Sequence, residues 1–453
     1  MEAQNNSAKG RGGGRGSGRG KDPTRRIAAT MLAQVTRGKT LDEVRDRLDG
    51  LDTKQRNLAD AIVQVSLRHY GEIKIHLAAH MKRPLPLRPH IAHALLVIGA
   101  AQILYMNVPP HAAIDETVGA TGRREQPFRG LINAVLRKIA AQDDATLPNT
   151  LPNTSATDNL PDWMRARFEA AYGADKVHAI CTVHRHTPAL DICFKSPEKA
   201  AGWLTLQGRE SETENAVDRL TDKHIRVHQA GAVTKLDGYD DGDWFVQDVA
   251  AGLPAIMLNN ALHSRSRVLD LCAAPGGKTL QLAAAGHQVT ALDISATRLQ
   301  RVKANLQRTK LGAELVEADA FDWQPQDQFD AIVLDAPCSA SGTLRRHPDL
   351  ALNRNEGYIA KLAALQARLL DRAADWVKQD GFLLYAVCSL DPQEGEAQAQ
   401  AFMERHKNFQ TVAPQNLPAD LLHKNRLRTT PADWAARGGM DGFFAALFQK
   451  TSA

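Results

Sequence analysis

Apolar residues in the first third of the chain recur at intervals of three and four positions. Ile91, Leu95 and Ile98 show this period, which extends through most of the surrounding sequence. Such spacing places apolar side chains on one face of a helix. Prolines at positions 84–89 interrupt the pattern where we expect one helix to end and the next to begin. The sequence therefore predicts an almost wholly helical domain over residues 23–142.

The next part of the chain is first polar and then mixed. Residues 143–160 are rich in Pro, Asn, Thr and Ser and repeat the tetrapeptide LPNT, a composition typical of linkers. Beyond them, the pattern predicts a strand near Leu190–Phe194 and a helix that begins at Ser196-Pro197. We therefore expect a linker over 143–160 and a small mixed α+β domain over 161–235.

From residue 236 onward, short apolar runs rich in β-branched residues alternate with helical ones. Strands that are each followed by a helix form parallel sheets covered on both faces. The pattern predicts a Rossmann-like α/β domain over 236–450, with a doubly wound, mostly parallel sheet that binds its ligand at the carboxyl ends of the strands. The strands are expected at 267–271, 288–294, 313–320, 329–337 and 381–390.

The first of these strands runs into the segment DLCAAPGGKT (270–279). Its glycines and alanines allow a ligand to approach the backbone closely, and a helix follows. The spacing matches neither GxxxxGK[ST] nor GxGxxG, which excludes a phosphate-binding P-loop and a dinucleotide fingerprint. An S-adenosylmethionine site remains, with Asp293 for the ribose hydroxyls and Asp319 for the adenine edge, each at a strand end. The expected cofactor contacts are Cys272, Ala273, Ala274, Pro275, Gly276, Gly277, Lys278, Asp293, Asp319 and Asp335.

Two cysteines also follow predicted strands, Cys338 after the fourth strand and Cys388 after a later one. In a doubly wound sheet these positions lie beside the cofactor crevice. C5 of cytosine is too electron-poor to attack a methyl donor, but addition of a thiolate to C6 makes C5 nucleophilic. A proton given to N3 by Asp335 helps this addition, and a base must afterwards remove the C5 proton. The residues alone leave open which of the two thiols attacks.

Cysteine usage and charge limit the cellular setting. The five cysteines are scattered without a CxxC pair, so we expect reduced thiols in the cytoplasm and no metal site. No apolar run approaches the roughly 18 residues of a membrane span. The first 26 residues hold seven basic and two acidic side chains, which accounts for the net charge of +5. The Gly/Arg-rich tail (1–22) is expected to be disordered and to suit either loose contact with phosphates or solubility alone.

Several segments together resemble the Sun/Fmu (RsmB) group of bacterial RNA m5C methyltransferases. In the α/β domain they are DLCAAPGGKT (270–279), LDAPCSASG (334–342) and YAVCSL (385–390). In the helical domain VPPHAAIDETVGATG (108–122) and RGLINAVLRK (129–138) are similar to a NusB-type RNA-binding domain. The resemblance implies a class I methyltransferase fold and 16S rRNA as the substrate. It also implies that Cys388 is the nucleophile and that Cys338 assists product release.

The substrate and the RNA contacts have alternatives. The same catalytic residues would serve a tRNA or another rRNA cytosine, and an RNA-binding protein with a vestigial methyltransferase domain is a further hypothesis. Val387 stands where this family usually has Thr. We expect a monomer that holds RNA through its helical and middle domains and through local basic patches. These patches are Arg123-Arg124, Arg129, Arg137-Lys138 and Arg345-Arg346, and the alternative for each is a solvated surface pair.

Overall fold

The computed structural model describes residues 22–83, 90–141, 153–207 and 217–452. The Gly/Arg-rich tail before residue 22, the prolines at positions 84–89 and most of the predicted linker lie outside the described residues. The described part contains a helical region, a small antiparallel sheet and a large mixed sheet. No helix in these ranges is long and apolar enough to cross a membrane.

The described N-terminal region is all helix, as the periodicity predicts. Leu95, Leu96, Val97 and Ile98 follow one another and are all inaccessible to solvent. A helix that is apolar on every side is buried as a core element. This central helix is the fifth, and the first, third, fourth, sixth and seventh pack around it. The helices are α1 (Thr24–Val35), α2 (Leu41–Val44), α3 (Thr53–Arg68), α4 (Tyr70–Ala79), α5 (His90–Tyr105), α6 (Pro110–Gly119) and α7 (Arg129–Ala140).

Local signals account for where α3 begins and ends. The Asp52 carboxylate accepts the Gln55 N–H at 2.9 Å, and the Gln55 side chain accepts the Asp52 N–H at 3.4 Å, a capping box. At the other end His69 leaves helical geometry, with φ −110° and ψ 21°, before α4 starts. The His69 ring stacks on Tyr105 of α5, with ring centroids 3.8 Å apart. The break between α3 and α4 therefore sits against the central helix.

The end of the predicted linker is an ordered part of the structure. Residues Ala156–Asn159 form a short 3-10 helix, and Ala156 is buried. The Asn159 side-chain amide donates to the Glu72 carboxylate of α4 at 2.7 Å. A Cβ at Gly71 would lie 1.8 Å from the Asp158 carbonyl oxygen, so the two segments touch through their backbones. The expectation of a linker up to residue 160 is therefore wrong for this part, because contacts with α4 fix a segment whose composition indicated a loop.

The small domain has the predicted strand and helix but extends further along the chain. The Ser196 hydroxyl accepts the Lys199 N–H at 3.3 Å, which is the expected start of the helix. The sheet is antiparallel, and its last strand lies beyond the predicted boundary at 235 because it pairs with the first. The elements are α8 (Asp162–Tyr172), α9 (Ala174–His184), β1 (Leu190–Phe194), α10 (Pro197–Gln207), β2 (Val217–Arg219), β3 (His224–Val227) and β4 (Trp244–Val246), with sheet order β2-β3-β1-β4.

The C-terminal region is a doubly wound sheet, which confirms the predicted Rossmann-like class. Its order is β11-β12-β13-β9-β8-β5-β6-β7, with β10 on β13. The strands from β9 to β7 run parallel, so their carboxyl ends meet at one edge. The elements are α11 (Val249–Asn259), β5 (Arg267–Leu271), α12 (Gly277–Ala284), β6 (Gln288–Asp293), α13 (Ala296–Thr309), β7 (Glu314–Glu317), β8 (Phe329–Asp335), α14 (Leu350–Asn353), α15 (Glu356–Trp376), β9 (Val377–Val387), α16 (Glu396–Arg405), β10 (Phe409–Val412), β11 (Leu422–His423), β12 (Arg426–Thr429) and β13 (Phe443–Lys450).

One buried guanidinium joins the three regions. Arg68, the last residue of α3, donates from Nη1 to the carbonyl oxygens of His184 at 2.8 Å and of Arg345 at 2.9 Å. Burial, with the charge of Arg345, lowers the pKa of Arg68 to about 10. Nearby, the Leu41 N–H donates to the Asp349 carboxylate at 3.0 Å. The helical region is thus bonded directly to the segment that follows β8.

Candidate active site

The loop after β5 forms a tight turn over the end of the sheet and runs into α12. The φ angles of Cys272 and Gly276 are 64° and 102°, in the left-handed region that favours glycine. The Ala273 N–H donates to a carbonyl of β6 at 3.0 Å. A Cβ on Gly277 would lie 2.9 Å from the Gln247 amide nitrogen, so a larger residue would displace that side chain. The predicted cofactor loop is therefore held close to the carboxyl ends of β5 and β6.

The predicted ribose ligand, Asp293, lies directly beside this loop. Its carboxylate accepts the N–H groups of Ala274 at 3.1 Å and of Ser295 at 2.9 Å. Arg298 lies 3.4 Å away and also bonds the Ala274 carbonyl. Because each carboxylate oxygen has two lone pairs, Asp293 can anchor the loop and still accept ligand hydroxyls.

Asp319 follows β7 at the same edge of the sheet. One of its carboxylate oxygens accepts the Phe321 N–H at 2.9 Å. Sequence reasoning missed Ile294, which follows Asp293 and exposes 66% of its surface. The sequence signal for Ile294 was an isolated apolar residue directly after the acidic residue that ends a strand. An acidic group with exposed apolar surface nearby fits a purine base, so this edge has the chemistry that the predicted cofactor requires.

Lys278 and Asp335 form an ion pair at the inner side of the loop. Lys278 Nζ lies 2.7 Å from Asp335 Oδ2, and the lysine side chain is only 5% exposed. Behind them, the Thr279 hydroxyl donates to the Asp270 carboxyl at 2.6 Å. Burial raises the pKa of Asp270 to about 7. The predicted proton donor Asp335 is thus ion-paired with a residue of the cofactor loop.

The two predicted catalytic thiols lie in contact. Cys338 Sγ and Cys388 Sγ are 3.4 Å apart. The hydrogen bond to the Cys388 sulfur, followed by burial, raises the pKa of Cys338 well above its usual range. Burial raises the pKa of Cys181, Cys193 and Cys272 to about 12, as expected for inert buried thiols. The structure therefore brings together the same pair that the strand-end positions selected.

A cavity of about 540 Å³ opens between the cofactor loop and the small domain. Lys278, Asp335 and His347 line it on the catalytic side, and Tyr239 and Val246 line it on the side of the small domain. Val246 exposes 49% of its surface. Ionic groups opposite aromatic and apolar ones suit an unstacked base. In the described part of the chain, no group of three or more His, Cys, Asp and Glu side chains could hold a metal ion.

Comparison with known proteins assigns the chain to a family. A sequence model described as 16S rRNA methyltransferase RsmB/F matches residues 255–449, and a model of the NusB family matches residues 22–141. Ribosomal RNA small subunit methyltransferase B of Serratia proteamaculans is 35% identical over 410 residues, which cover 87% of this chain and 95% of the relative. The chain belongs to this methyltransferase B family. The Erwinia tasmaniensis member is 35% identical over 432 residues, covering 93% of this chain and 97% of its own.

Solved structures support the same fold. The protein titled PH0851 superposes with a TM-score of 0.72 at 22% identity, covering 94% of this chain and 99% of its own. NSun6 from Pyrococcus horikoshii gives a TM-score of 0.53 at 19% identity, covering 65% of this chain and 99% of its own. At such identities the likeness concerns the fold alone. The family resemblance and the methyltransferase fold expected from the sequence are both confirmed.

This methyltransferase B family member also holds a buried carboxylate that sequence reasoning missed. Glu394 is inaccessible to solvent and contacts both cysteine-bearing loops. It accepts the Ser339 N–H at 2.8 Å and the Ser389 hydroxyl at 2.6 Å. The signal was an acidic residue in the polar run DPQEGE after Cys388. A charge in such a run usually indicates a solvated loop.

One predicted basic patch is a buried ion-pair network instead. Both Arg345 and Arg346 pair with Asp248 and with Asp441. Burial alone would raise the pKa of Asp248, but the two guanidinium charges lower it below its usual range. The expectation that Arg345 and Arg346 grip RNA with free charge is wrong, because two carboxylates distant in sequence neutralise them. The other predicted patches are exposed; they are Arg123-Arg124, Arg129 and Arg137-Lys138.

Proposed function

We propose that this chain transfers a methyl group from S-adenosylmethionine to C5 of a specific cytosine in 16S rRNA. The observation that carries the proposal is the contact between the Cys338 and Cys388 sulfurs, 3.4 Å apart, beside the cofactor loop. Membership of the methyltransferase B family supports the RNA class. A methyl transfer to oxygen or nitrogen needs no thiol, whereas C5 of cytosine needs one to become nucleophilic.

The residues that would hold S-adenosylmethionine are those of the loop Ala273–Lys278 with Asp293 and Asp319. The carboxylate at the end of β6 would hold the ribose hydroxyls, and the one after β7 would hold the adenine edge, as the residue types predict. When bound, the cofactor supplies an electrophilic methyl group. The loop N–H groups and these two acids orient it toward the strand edge that carries the thiols.

In the first step the Cys388 thiolate adds to C6 of the cytosine. The new S–C6 bond pushes electrons toward N3, where a proton from the Lys278–Asp335 pair is taken up. The resulting enamine carries electron density on C5, which takes the methyl group as the bond between that group and the donor sulfur breaks. Loss of the C5 proton to a base then restores the C5–C6 double bond and expels Cys388 from C6 as a thiolate, while the N3 proton returns to the Lys278–Asp335 pair.

The thiol contact supports distinct roles for the two cysteines. While Cys388 is a thiolate, its hydrogen bond and charge raise the pKa of Cys338, which therefore keeps its proton. Once Cys388 is bonded to C6, that charge is gone. The pKa of Cys338 then falls, so Cys338 can give its proton to water and, as a thiolate, act as the base that takes the C5 proton. Attack and release thus use the two sulfurs in sequence.

Two alanine variants test the roles. Cys388→Ala is expected to abolish methylation without forming an adduct. Cys338→Ala is expected to accumulate a covalent RNA–protein adduct that survives denaturing gels, because release lacks its base. Cys181→Ala, which removes a buried thiol away from the pair, is the matched control and should methylate normally. Adduct with Cys388→Ala and none with Cys338→Ala would reverse the assignment.

The RNA host is tested separately. Bisulfite sequencing of 16S rRNA and tRNA from cells with and without the protein should show one protected cytosine in 16S rRNA. Protection in tRNA or at another rRNA site would favour the alternative host. Labelled S-adenosylmethionine should bind the purified protein, whereas a vestigial domain would retain none. We further expect a metal-free monomer in the cytoplasm, which equilibrium sedimentation, elemental analysis and cell fractionation would test.

A further inference from the structure

Glu394 lies between the two loops that carry the catalytic thiols. It lies in the short turn between Cys388 and the start of α16. Its side chain accepts four hydrogen bonds, and three of them come from outside its own loop. Oε1 accepts the Ser339 N–H at 2.8 Å and the Gln366 amide at 3.2 Å. Oε2 accepts the Ser339 hydroxyl at 2.5 Å and the Ser389 hydroxyl at 2.6 Å.

The serines that meet on this carboxylate are the immediate neighbours of the thiols. Ser339 follows Cys338, and Ser389 follows Cys388. Their hydroxyls are also 3.2 Å from each other. The bonds to Glu394 thus tie the backbone after each cysteine to a common point. Because both strands end at this place, the spacing of the two sulfurs depends on how the two loops are fastened.

The Cys338 loop has a second attachment that involves the same group. The Gln366 amide, which bonds Glu394, also donates to the Pro337 carbonyl at 2.8 Å. Residues on both sides of Cys338 are therefore fixed relative to the carboxylate. The hydrogen bonds of the Glu394 side chain go to Ser339, Ser389 and Gln366 and not to the first turn of α16, whose N-cap is Gly395. A role limited to starting the next helix does not account for these contacts.

The charge of Glu394 matters as well as its shape. In the described part of the chain, no cation lies within 4 Å of its oxygens in a salt bridge. A buried carboxylate without an ion-pair partner acts on nearby ionisable groups at low dielectric, and here these groups include Arg167 and Tyr385 as well as Cys338. It contributes to the raised pKa of Cys338, after the Cys388 hydrogen bond, burial and the charge of Cys388. A glutamine of the same shape could accept from the Ser339 N–H and the Gln366 amide and donate its own amide to the two serine hydroxyls, but it would not exert this effect.

We propose that Glu394 is a positioning residue that clamps the two cysteine-bearing loops and so holds the sulfurs of Cys338 and Cys388 in contact. The inference rests on the proposed function, since it assigns Glu394 a part in that reaction. Removal of the Glu394 side chain should separate the two sulfurs. Removal of its charge alone should leave the sulfurs in contact and lower the pKa of the Cys338 thiol.

The first test measures the sulfur contact without RNA. Oxidised glutathione converts the two thiols into a Cys338–Cys388 disulfide, and the two electrons and two protons appear as two glutathione thiols. Quenched peptide mapping gives the rate. Glu394→Ala should form this disulfide at least about tenfold more slowly than wild type, as expected for loss of buried charge-assisted hydrogen bonds. Glu404→Gln, an exposed substitution on α16, should match wild type. A wild-type rate for folded Glu394→Ala would overturn the clamp.

Glu394→Gln separates charge from shape. It should form the disulfide at a near wild-type rate at high pH, but the midpoint of its pH profile should fall by about half a unit or more, because a nearby negative charge disfavours the thiolate. An unchanged midpoint would overturn the role of the charge. On 16S rRNA, Glu394→Ala should lower kcat at least about tenfold with an unchanged KM; a loss confined to KM would overturn the proposal.

Two smaller changes cover the case in which Glu394→Ala does not fold. Ser339→Ala and Ser389→Ala each remove one hydroxyl bond to the carboxylate, and each should slow disulfide formation. Wild-type rates for both would contradict the clamp. The disulfide assays use no RNA, so they remain informative if the wild-type protein methylates no cytosine. In that case the proposed function fails while the thiol-spacing result stands on its own.

Discussion

Loss of one buried carboxylate should destabilise the protein strongly. Asp248 pairs with Arg345 and Arg346, and the side-chain exposures of these three groups are 4%, 1% and 23%. Asp248→Asn keeps the shape that accepts the Ala250 N–H at 2.9 Å but removes the charge. Two guanidinium groups then share the single carboxylate of Asp441. Breaking a buried pair in this way costs about 3–5 kcal/mol.

The change in melting temperature follows from the size of the domain. For a domain of roughly 200 residues, 1 kcal/mol corresponds to about 2–4 °C, so Asp248→Asn should lower Tm by about 6–20 °C. Circular dichroism melts measure the shift. Asp371→Asn is the matched control, because Asp371 is 44% exposed and its pair with Arg405 is worth about 1 kcal/mol or less.

A double variant checks the electrostatic origin of the loss. Asp248→Asn with Arg346→Met removes one cation together with the anion, and Arg345 keeps its contact with Asp441 at 2.6 Å. This protein should melt above the single variant Asp248→Asn, because fewer unpaired charges stay buried. The reasoning is refuted if Asp248→Asn shifts Tm no more than Asp371→Asn does.

Three further changes test other parts of the structure. The pKa of Asp270 is raised from 3.8 to about 7, so Asp270 stabilises the fold fully below pH 4 and this contribution is lost as the pH rises through 7. The free energy of unfolding, measured in urea melts, should therefore change less between pH 5 and pH 7.5 for Asp270→Asn than for wild type. Gly71→Ala places a Cβ 1.8 Å from the Asp158 carbonyl and should cost about 1–3 kcal/mol in urea melts, whereas Gly130→Ala, with nothing within 4 Å, should cost none. Lys278→Met should lower the single-turnover rate constant of methylation about 100-fold or more while the protein stays folded. An unchanged rate constant would exclude a part for Lys278 in proton transfer.

The sequence predicted those parts of the fold and site that depend on local pattern. The period of three and four residues indicated the helical region, and alternating apolar runs indicated the parallel sheet. Cys338 and Cys388 could be selected because both follow strands, and parallel strands end at one edge. The same reasoning placed Asp293 and Asp319 at that edge, and their contacts with a cofactor stay a prediction. Each of these inferences needed only short-range spacing and one rule of topology.

Features that depend on distant partners were not predictable in this way. Arg345 and Arg346 looked like a basic patch, since nothing nearby in the sequence indicates that Asp248 and Asp441 meet them. Glu394 looked like a loop residue for a similar reason, because Ser339 lies 55 residues away. A charge shows in the sequence, but its solvation depends on which segments the fold brings together.

The hydrogen bonds of Arg68 fix the distance between the helical region and the strand edge that carries the thiols. If the helical region moved away from the strand edge, the buried guanidinium of Arg68 would lose its hydrogen bonds to the carbonyl oxygens of His184 and Arg345. The exposed basic residues of α7 therefore keep a fixed distance and direction to the thiols. Under the proposed function, we expect an RNA bound to these residues to lose methylation when base pairs are inserted between the bound stem and the target cytosine, because the insertion would rotate that cytosine away from the thiols.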